Sequence, residues 1–365
     1  PMAINTLSRH LQEELKKVQE AVYHKKSNLF ESTLLSIRAA EELKADKESR
    51  KKIKTGYRIF DDANLAKTNV ITICGRANSF KTSLFVNAAV NLLNKNDNTM
   101  LFYYSTDDPL EKIINDFIAC EAGLIREYVA DPLFYPELGK EVSNSKESFQ
   151  LYQAYLKAFT KIETFIKEKR LIIKQSSDMT TWNEFENALA ELNEDQSLKG
   201  MARIAIVDSV NKIETPMIQE DNARIAYLSE RTKKAAEMYG FIFIQNIELR
   251  KIPDFHLVSL QDLRGSVRLE YDPSMIISGN NNFHNLKGDT NLKFTNKDYN
   301  FRPQPIIHLM IEKTKIGGNK YQDYFFEIHG PINKVIEVTD EDEYSRLQSI
   351  WEEEQNSYAN GRKTK

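Results

Sequence analysis

Eight consecutive residues, Gly75-Arg76-Ala77-Asn78-Ser79-Phe80-Lys81-Thr82, carry the residue types that holding a polyphosphate requires. Backbone N–H groups in such a loop, and at the start of the helix after it, can surround phosphate oxygens. Lys81 adds a positive charge, and the Thr82 hydroxyl is suited to Mg²⁺. The pattern departs from the usual one at Phe80, where a glycine normally precedes the lysine, so conformational freedom is lost and bulk gained. Two acidic positions complete the chemistry. Ile204-Ala205-Ile206-Val207-Asp208 is an apolar run ending in a carboxylate, as needed to hold Mg²⁺-bound water beside the loop. Leu101 to Asp108 is a second such run, and either Asp107 or Asp108 can orient an attacking water. Because Pro109 follows, helix capping is the competing use for one of these acids. ATP and Mg²⁺ are the ligands this set of residues predicts.

Such residues need a sheet to position them. Asn69 to Cys74 is a short β-branched run leading into Gly75, and a helical pattern follows through about Leu93. Further apolar runs at Met100 to Tyr104, Leu171 to Ile173, Ile204 to Val207, Phe241 to Ile244, Met275 to Ile277, Ile306 to Ile311 and Tyr324 to Ile328 predict the other strands. Pro109 to about Lys169 reads as mostly helical with a break around Pro132 to Pro136, and a helix rich in Ala and Lys spans about Asn222 to Tyr239. Strands alternating with helices predict an α/β fold, a mainly parallel sheet flanked by helices. Between Gly279 and Gln304 the chain is rich in Asn and Lys and shows no periodicity.

Residues 1–54 are expected to form an N-terminal helical arm. From about Thr6 to Lys54 the chain is charged, lacks Gly and Pro, and places Leu11, Leu15, Val18 and Val22 at helical spacing. Its apolar face packs either on a neighbouring subunit or back on its own domain. Thr55-Gly56-Tyr57 ends the arm, the body spans 55–338, and 339–365 forms a charged tail that starts as a helix. With 41% hydrophobic and 28% charged residues, the chain is composed like a globular protein and not a disordered one. No apolar run is long enough to cross a bilayer and no signal segment opens the sequence, so a cytoplasmic protein without membrane association is expected. Cys74 and Cys120 stand in no metal-ligand spacing, which argues against a disulfide scaffold or a structural zinc. The net charge of −3 means that any nucleic-acid contact must be local.

Taken in order, these segments resemble the DnaB-like replicative helicases over about Thr55 to Gly330. Thr55 to Asp61 looks like the family's lead-in to its motor, and Gly75 to Thr82 like its phosphate loop. Ser105-Thr106-Asp107 resembles a Ser-Leu-Glu segment, so Asp107 falls where the family has its catalytic glutamate. Ile204 to Asp208 resembles the Mg²⁺ strand, and Phe243-Ile244-Gln245 the strand whose glutamine senses the terminal phosphate. The most specific piece is Asp262 to Asp272, similar position by position to a segment that forms a DNA-facing loop. Glu312-Lys313-Thr314-Lys315 resembles the Lys-x-Arg element that reaches a neighbouring subunit's ATP site; Lys313 matches the lysine, while Lys315 replaces the arginine finger with a point charge that lacks the bidentate fork.

The resemblance implies a RecA-like fold and ATP hydrolysed between subunits of a homo-oligomer, a hexameric ring in the first instance. It implies single-stranded DNA held by Arg264, Gly265, Ser266 and Val267, with Arg250 and Lys251 extending the positive track. Contacts of this kind are sequence-blind. Primase, a loader or a polymerase would be partners, and a phage or plasmid replication protein fits the absence of room for the family's large N-terminal collar before Thr55. Two other readings use the same residues. RecA-type strand-exchange recombinases share the fold, and those of phages can carry Ser-Phe-Lys in the phosphate loop, as Ser79-Phe80-Lys81 does. A non-catalytic ATP-binding assembly or loader protein is the third, motivated by Phe80, Asp107 and Lys315, three departures at one site.

Overall fold

The computed structural model describes residues 53–62, 65, 70–76, 79–130, 146–249, 257–263, 267–281, 293–294, 304–315 and 320–361. The expected arm up to residue 52 and the break around Pro132 to Pro136 lie outside the described residues.

The central strands are β1 (Val70–Gly75), β2 (Thr99–Ser105), β3 (Leu171–Gln175), β4 (Ala202–Asp208), β5 (Phe241–Glu248) and β6 (Met275–Asn281). Then come β7 (Lys293–Phe294), β8 (Gln304–Thr314), β9 (Asp323–His329) and β10 (Lys334–Glu337). Their order across the sheet is β3-β2-β4-β5-β1-β6-β8-β9-β10, with β7 pairing on β8. From β3 to β6 all neighbours are parallel, and from β6 to β10 all are antiparallel. The parallel half is the sheet predicted by the alternation of strands and helices. Sequence reading missed β7 and β10, which are 2 and 4 residues long and carry too few side chains for a periodicity to show.

Crossover helices cover both faces. On one lie α1 (Arg58–Asp61), α2 (Lys81–Lys95), α3 (Leu110–Ala122), α4 (Arg126–Ala130) and α5 (Lys146–Lys167); on the other, α6 (Trp182–Glu194) and α7 (Asp221–Tyr239). The short α8 (Val267–Tyr271) precedes β6, and α9 (Glu341–Gly361) follows β10. Alternation along each strand separates two cores. Ile204, Ile206, Ile242 and Ile244 pack with Leu84 and Phe85 of α2, whereas Ala205, Val207, Phe241 and Phe243 pack with Phe185 of α6 and Leu228 of α7. Both faces of the parallel strands are therefore apolar, which is why they read as continuous hydrophobic runs. α6 lies outside the helices expected from periodicity, although Thr181 and Glu184 form a capping box at its start.

The tail from 339 onward includes α9, whose Leu347 and Trp351 are buried against Ile306 and Phe325 of the antiparallel half. Among the described residues, no helix is long and apolar enough to cross a membrane.

Candidate phosphate-binding site

The parallel strands present their C-terminal ends to a cavity of about 690 Å³, lined by Ser79, Phe80, Lys81, Thr82, Asp107 and Asp208 among others. In open α/β sheets ligands settle beyond these strand ends. The chain leaves β1 at Gly75, turns through the loop and enters α2 at Lys81. A Cβ on Gly75 would stand 3.0 Å from Ser79 Oγ and 3.2 Å from the Gly279 carbonyl, so any larger residue would crowd the turn. Phe80 is the N-cap of α2 and has φ 62 and ψ 21. It thus adopts the left-handed conformation that glycine takes without strain, at a cost of roughly 1–2 kcal/mol for other residues. Its ring packs against the core beneath α2, which offsets that cost.

Lys81 turns back into the loop. Its Nζ donates to the Gly75 carbonyl (3.3 Å), the Arg76 carbonyl and Ser79 Oγ (3.2 Å). Burial lowers its pKa, and the carboxylates of Asp208 and Glu248 oppose that shift. Thr82 Oγ1 donates to Asp208 Oδ2 at 2.6 Å, joining the start of α2 to the end of β4. Asp208 is buried, and burial pushes its carboxyl up to about 6; the Thr82 hydrogen bond and Lys81 act the other way, and Asp107 and Asp108 add to the rise.

Strand parity decides which residue of β5 joins them. Asn246 is on the α2 face and its Nδ2 donates to Asp208 Oδ1. Gln245 is on the opposite face, where its Nε2 donates to Thr72 Oγ1 at 3.1 Å, and it is absent from the cavity lining. Gln245, expected at the phosphate-sensing position, thus faces away from the cavity, and its neighbour Asn246 faces into it. A shift of one residue reverses the face.

Asp107 reaches the cavity from the end of β2, where its Oδ2 pairs with Lys212 Nζ at 2.5 Å; Lys212 also pairs with Glu248 at 3.0 Å. Neither Asp107 nor Asp108 caps α3. Its N-cap is Pro109 with no side-chain cap bond, the Leu110 N–H donates to Gln175 Oε1 at 2.6 Å, and Asp108 pairs with Lys112 at 2.5 Å. Sequence reading missed Lys212, Asn246 and Glu248. Their signal was position alone, since each lies within a few residues of the end of a strand flanking β1 or β2.

Lys313 and Lys315 are elsewhere. Lys315 N–H bonds the Ser274 carbonyl, whose own N–H bonds the Val70 carbonyl, so this end of β8 lies level with the start of β1. Five residues of strand separate that level from Gly75, about 16 Å. Both lysines donate to carbonyls at the C-terminal end of α8: Lys313 to Glu270 and Pro273, Lys315 to Tyr271 and Asp272. Burial pushes Lys313 down to about 8. Neither can serve the phosphate site of its own chain in this arrangement. Ala77, Asn78, Arg250, Lys251, Arg264, Gly265 and Ser266, and the side chain of Val267, lie outside the described residues.

The loop between β1 and α2, the acid closing β4 and the mainly parallel sheet flanked by helices are the features of a RecA-like fold. No protein-family model matches the chain, and no curated protein matches it. Among solved structures it is similar to the ATPase domain of another protein, with a TM-score of 0.61 and 14% identity over 84% of this chain and 98% of that one. It is also similar to a DnaB-like replicative helicase described together with its interactions with primase, with a TM-score of 0.60 and 15% identity over 91% of this chain and 74% of that one. The fold is thus RecA-like, as in these two structures.

Proposed function

We propose that the chain is an ATP-dependent motor that moves along single-stranded DNA, and that it works as a replicative helicase. The observation that carries this reading is the meeting of Lys81, Thr82, Asp208 and Asn246 at the C-terminal edge of the sheet. Loop N–H groups and Lys81 would bind the phosphates of ATP, and the Thr82 hydroxyl and Asp208 carboxylate would hold Mg²⁺. The donor set fits that ion. Among the described residues no cluster of three His, Cys, Asp or Glu forms a cage, and Mg²⁺ is commonly held by one or two protein groups with water and phosphate oxygens. When bound, the ion neutralises charge on the phosphate oxygens. Asp107 orients the attacking water, and Asn246 registers the state of the site through Asp208.

Lys315, about 16 Å along the sheet from its own loop, and Lys313, level with Thr72 and about 10 Å from it, would act on the ATP of an adjacent copy. That requires a homo-oligomer, with six subunits in a ring as the first arrangement to test. The segment Arg264-Gly265-Ser266-Val267, with Arg250 and Lys251, is assigned to the DNA backbone on the similarity of Asp262 to Asp272 to a DNA-facing loop. A primase-type partner and a cytoplasmic setting follow from the same reading.

The test is unwinding of a forked DNA duplex by the purified chain with ATP and Mg²⁺, using Lys81→Ala as control. Unwinding lost in the variant supports the helicase. DNA-stimulated hydrolysis without unwinding moves the assignment to a strand-exchange recombinase, and nucleotide binding without hydrolysis moves it to an assembly protein.

A further inference from the structure

We propose that Lys212 is a positioning residue of this site, a cation from the same chain that fixes Asp107 over the phosphate cavity. This rests on the reading of the cavity as an ATP-hydrolysing site.

Three adjacent strands supply the parts. Asp107 follows the end of β2, Lys212 follows the end of β4, and Glu248 closes β5, and these strands are neighbours in the order β2-β4-β5. Lys212 Nζ stands 2.5 Å from Asp107 Oδ2 and 3.0 Å from Glu248 Oε2, bridging the two carboxylates at the cavity.

The base of this bridge is fixed. Thr106 N–H donates to the Asp208 carbonyl at 2.7 Å, and Ser209 N–H donates to Thr106 Oγ1 at 2.8 Å, which ties the ends of β2 and β4 together. The turn Val210–Lys212 is pinned by the buried Val210, and Glu248 N–H donates to Asn211 Oδ1 at 3.3 Å, which ties it to β5. The bridging side chains themselves are far from buried: Lys212 is 39% exposed, Asp107 43% and Glu248 30%. Ion pairs this open contribute little to folding. What the bridge accomplishes is therefore placement. It occupies Asp107 Oδ2 and leaves Oδ1 to accept a hydrogen bond from water.

The other cations of the cavity are committed differently. Lys81 donates into the loop, Lys112 pairs with Asp108, and Arg126 donates two hydrogen bonds to the Asp116 carboxylate at 2.6 and 2.7 Å. In hydrolysis the water oxygen forms the new bond to the terminal phosphorus while that phosphorus loses its bond to the bridging oxygen, which takes the electron pair and leaves as part of the nucleoside diphosphate. The water proton passes to Asp107 Oδ1 and then to solvent.

The experiment is a double-mutant cycle read by ATP turnover, with Lys212→Ala, Lys212→Arg and Asp107→Asn as single changes and Lys212→Ala/Asp107→Asn combined. Calorimetric titration of each protein with ADP and with ADP–aluminium fluoride accompanies it. For Lys212→Ala we expect kcat to fall roughly 10- to 100-fold with KM within about threefold, and ADP–aluminium fluoride to weaken while ADP does not. Lys212→Arg recovers most of the loss. In the Asp107→Asn background, Lys212→Ala costs little more, because its partner is already disabled. An undiminished kcat in Lys212→Ala, or a full second penalty in the combined variant, overturns the proposal. If the unaltered protein turns over no ATP and binds both ligands equally, the hydrolytic reading itself fails and takes this proposal with it. That outcome is distinct from an active protein indifferent to Lys212.

Discussion

Thr82 Oγ1 and Asp208 Oδ2 meet at 2.6 Å although 126 residues of chain separate them. The sheet order β4-β5-β1 brings them together, with one strand between, and that strand adds Asn246 to the same carboxylate. Three segments thus converge on one buried acid. An acid so placed serves the site at the expense of the fold.

The first prediction follows from that expense. Asp208 has an ordinary value of 3.8 and is raised to about 6, a difference of about 3 kcal/mol between its neutral and charged forms. Below the ordinary value both folded and unfolded chains hold the proton, and as pH rises through the window up to about 6 only the folded chain keeps it, so stability falls. Asp208→Asn, measured by urea unfolding in EDTA, should therefore be more stable than the parent at neutral pH, with the advantage shrinking to nothing near pH 4. The same variant should lose Mg²⁺-dependent activity. Equal stability at neutral pH would mean that Asp208 is not charged and buried as described.

Phe80 gives a second. Its φ of 62 is strained for any residue with a Cβ, while its ring is held by the core. Phe80→Ala and Phe80→Gly both remove the ring, and only the glycine relieves the backbone. Phe80→Gly should be more stable than Phe80→Ala in urea unfolding, by about 1 kcal/mol, the reverse of their order in a helix interior. A Phe80→Ala protein as stable as Phe80→Gly would show that the loop relaxes out of the left-handed conformation.

His308 gives a third. It is buried, its Nε2 is 2.5 Å from Asp323 Oδ1, and its ring centroid lies 3.8 Å from that of Trp351 in α9. Burial lowers its pKa from 6.5 in spite of the carboxylate. On acidification below 6.5 the unfolded chain takes up a proton that the folded chain refuses, so stability drops as pH falls. His308→Gln keeps a donor for Asp323 and should lose this drop. Comparing each protein at about pH 7.5 and about pH 5.5 cancels contributions from other groups, Asp208 included. A parent and variant with equal pH dependence would refute the assignment.

Much of the site was legible in the sequence because its parts are local. Gly75, Lys81 and Thr82 lie in one loop and helix start, and Asp208 ends an apolar strand, so each is announced by its own neighbours. Parity was not legible at the end of β5, where Gln245 and Asn246 are both polar and adjacent, and only the packing of Ile242 and Ile244 toward α2 tells which one faces the site. Lys212 and Glu248 were invisible for another reason. A lysine and a glutamate in a charged sequence signify a site only once the sheet places three strand ends side by side. The mainly parallel sheet followed from alternating runs, whereas the antiparallel extension β8-β9-β10 depends on pairing that periodicity does not encode.

The position of Lys315 yields the last prediction. It lies level with the start of β1, about 16 Å from Gly75 along the strand, with its Nζ on the Tyr271 and Asp272 carbonyls. No rotamer of a lysine side chain spans that distance, so a catalytic role for Lys315 requires that it act on another copy. Lys81→Ala and Lys315→Ala should each be inactive alone. Mixed and reassembled in equal amounts, they should regain ATPase activity, because a site formed by an intact Lys81 and a neighbour's intact Lys315 arises at about a quarter of random subunit contacts in a head-to-tail ring. The activity should rise with the time allowed for subunit exchange and be absent when the two proteins are combined without it. A Lys315→Ala protein as active as the parent would remove the residue from catalysis. Two inactive variants that never complement, despite demonstrated co-assembly, would show that the lysines do not act across subunits.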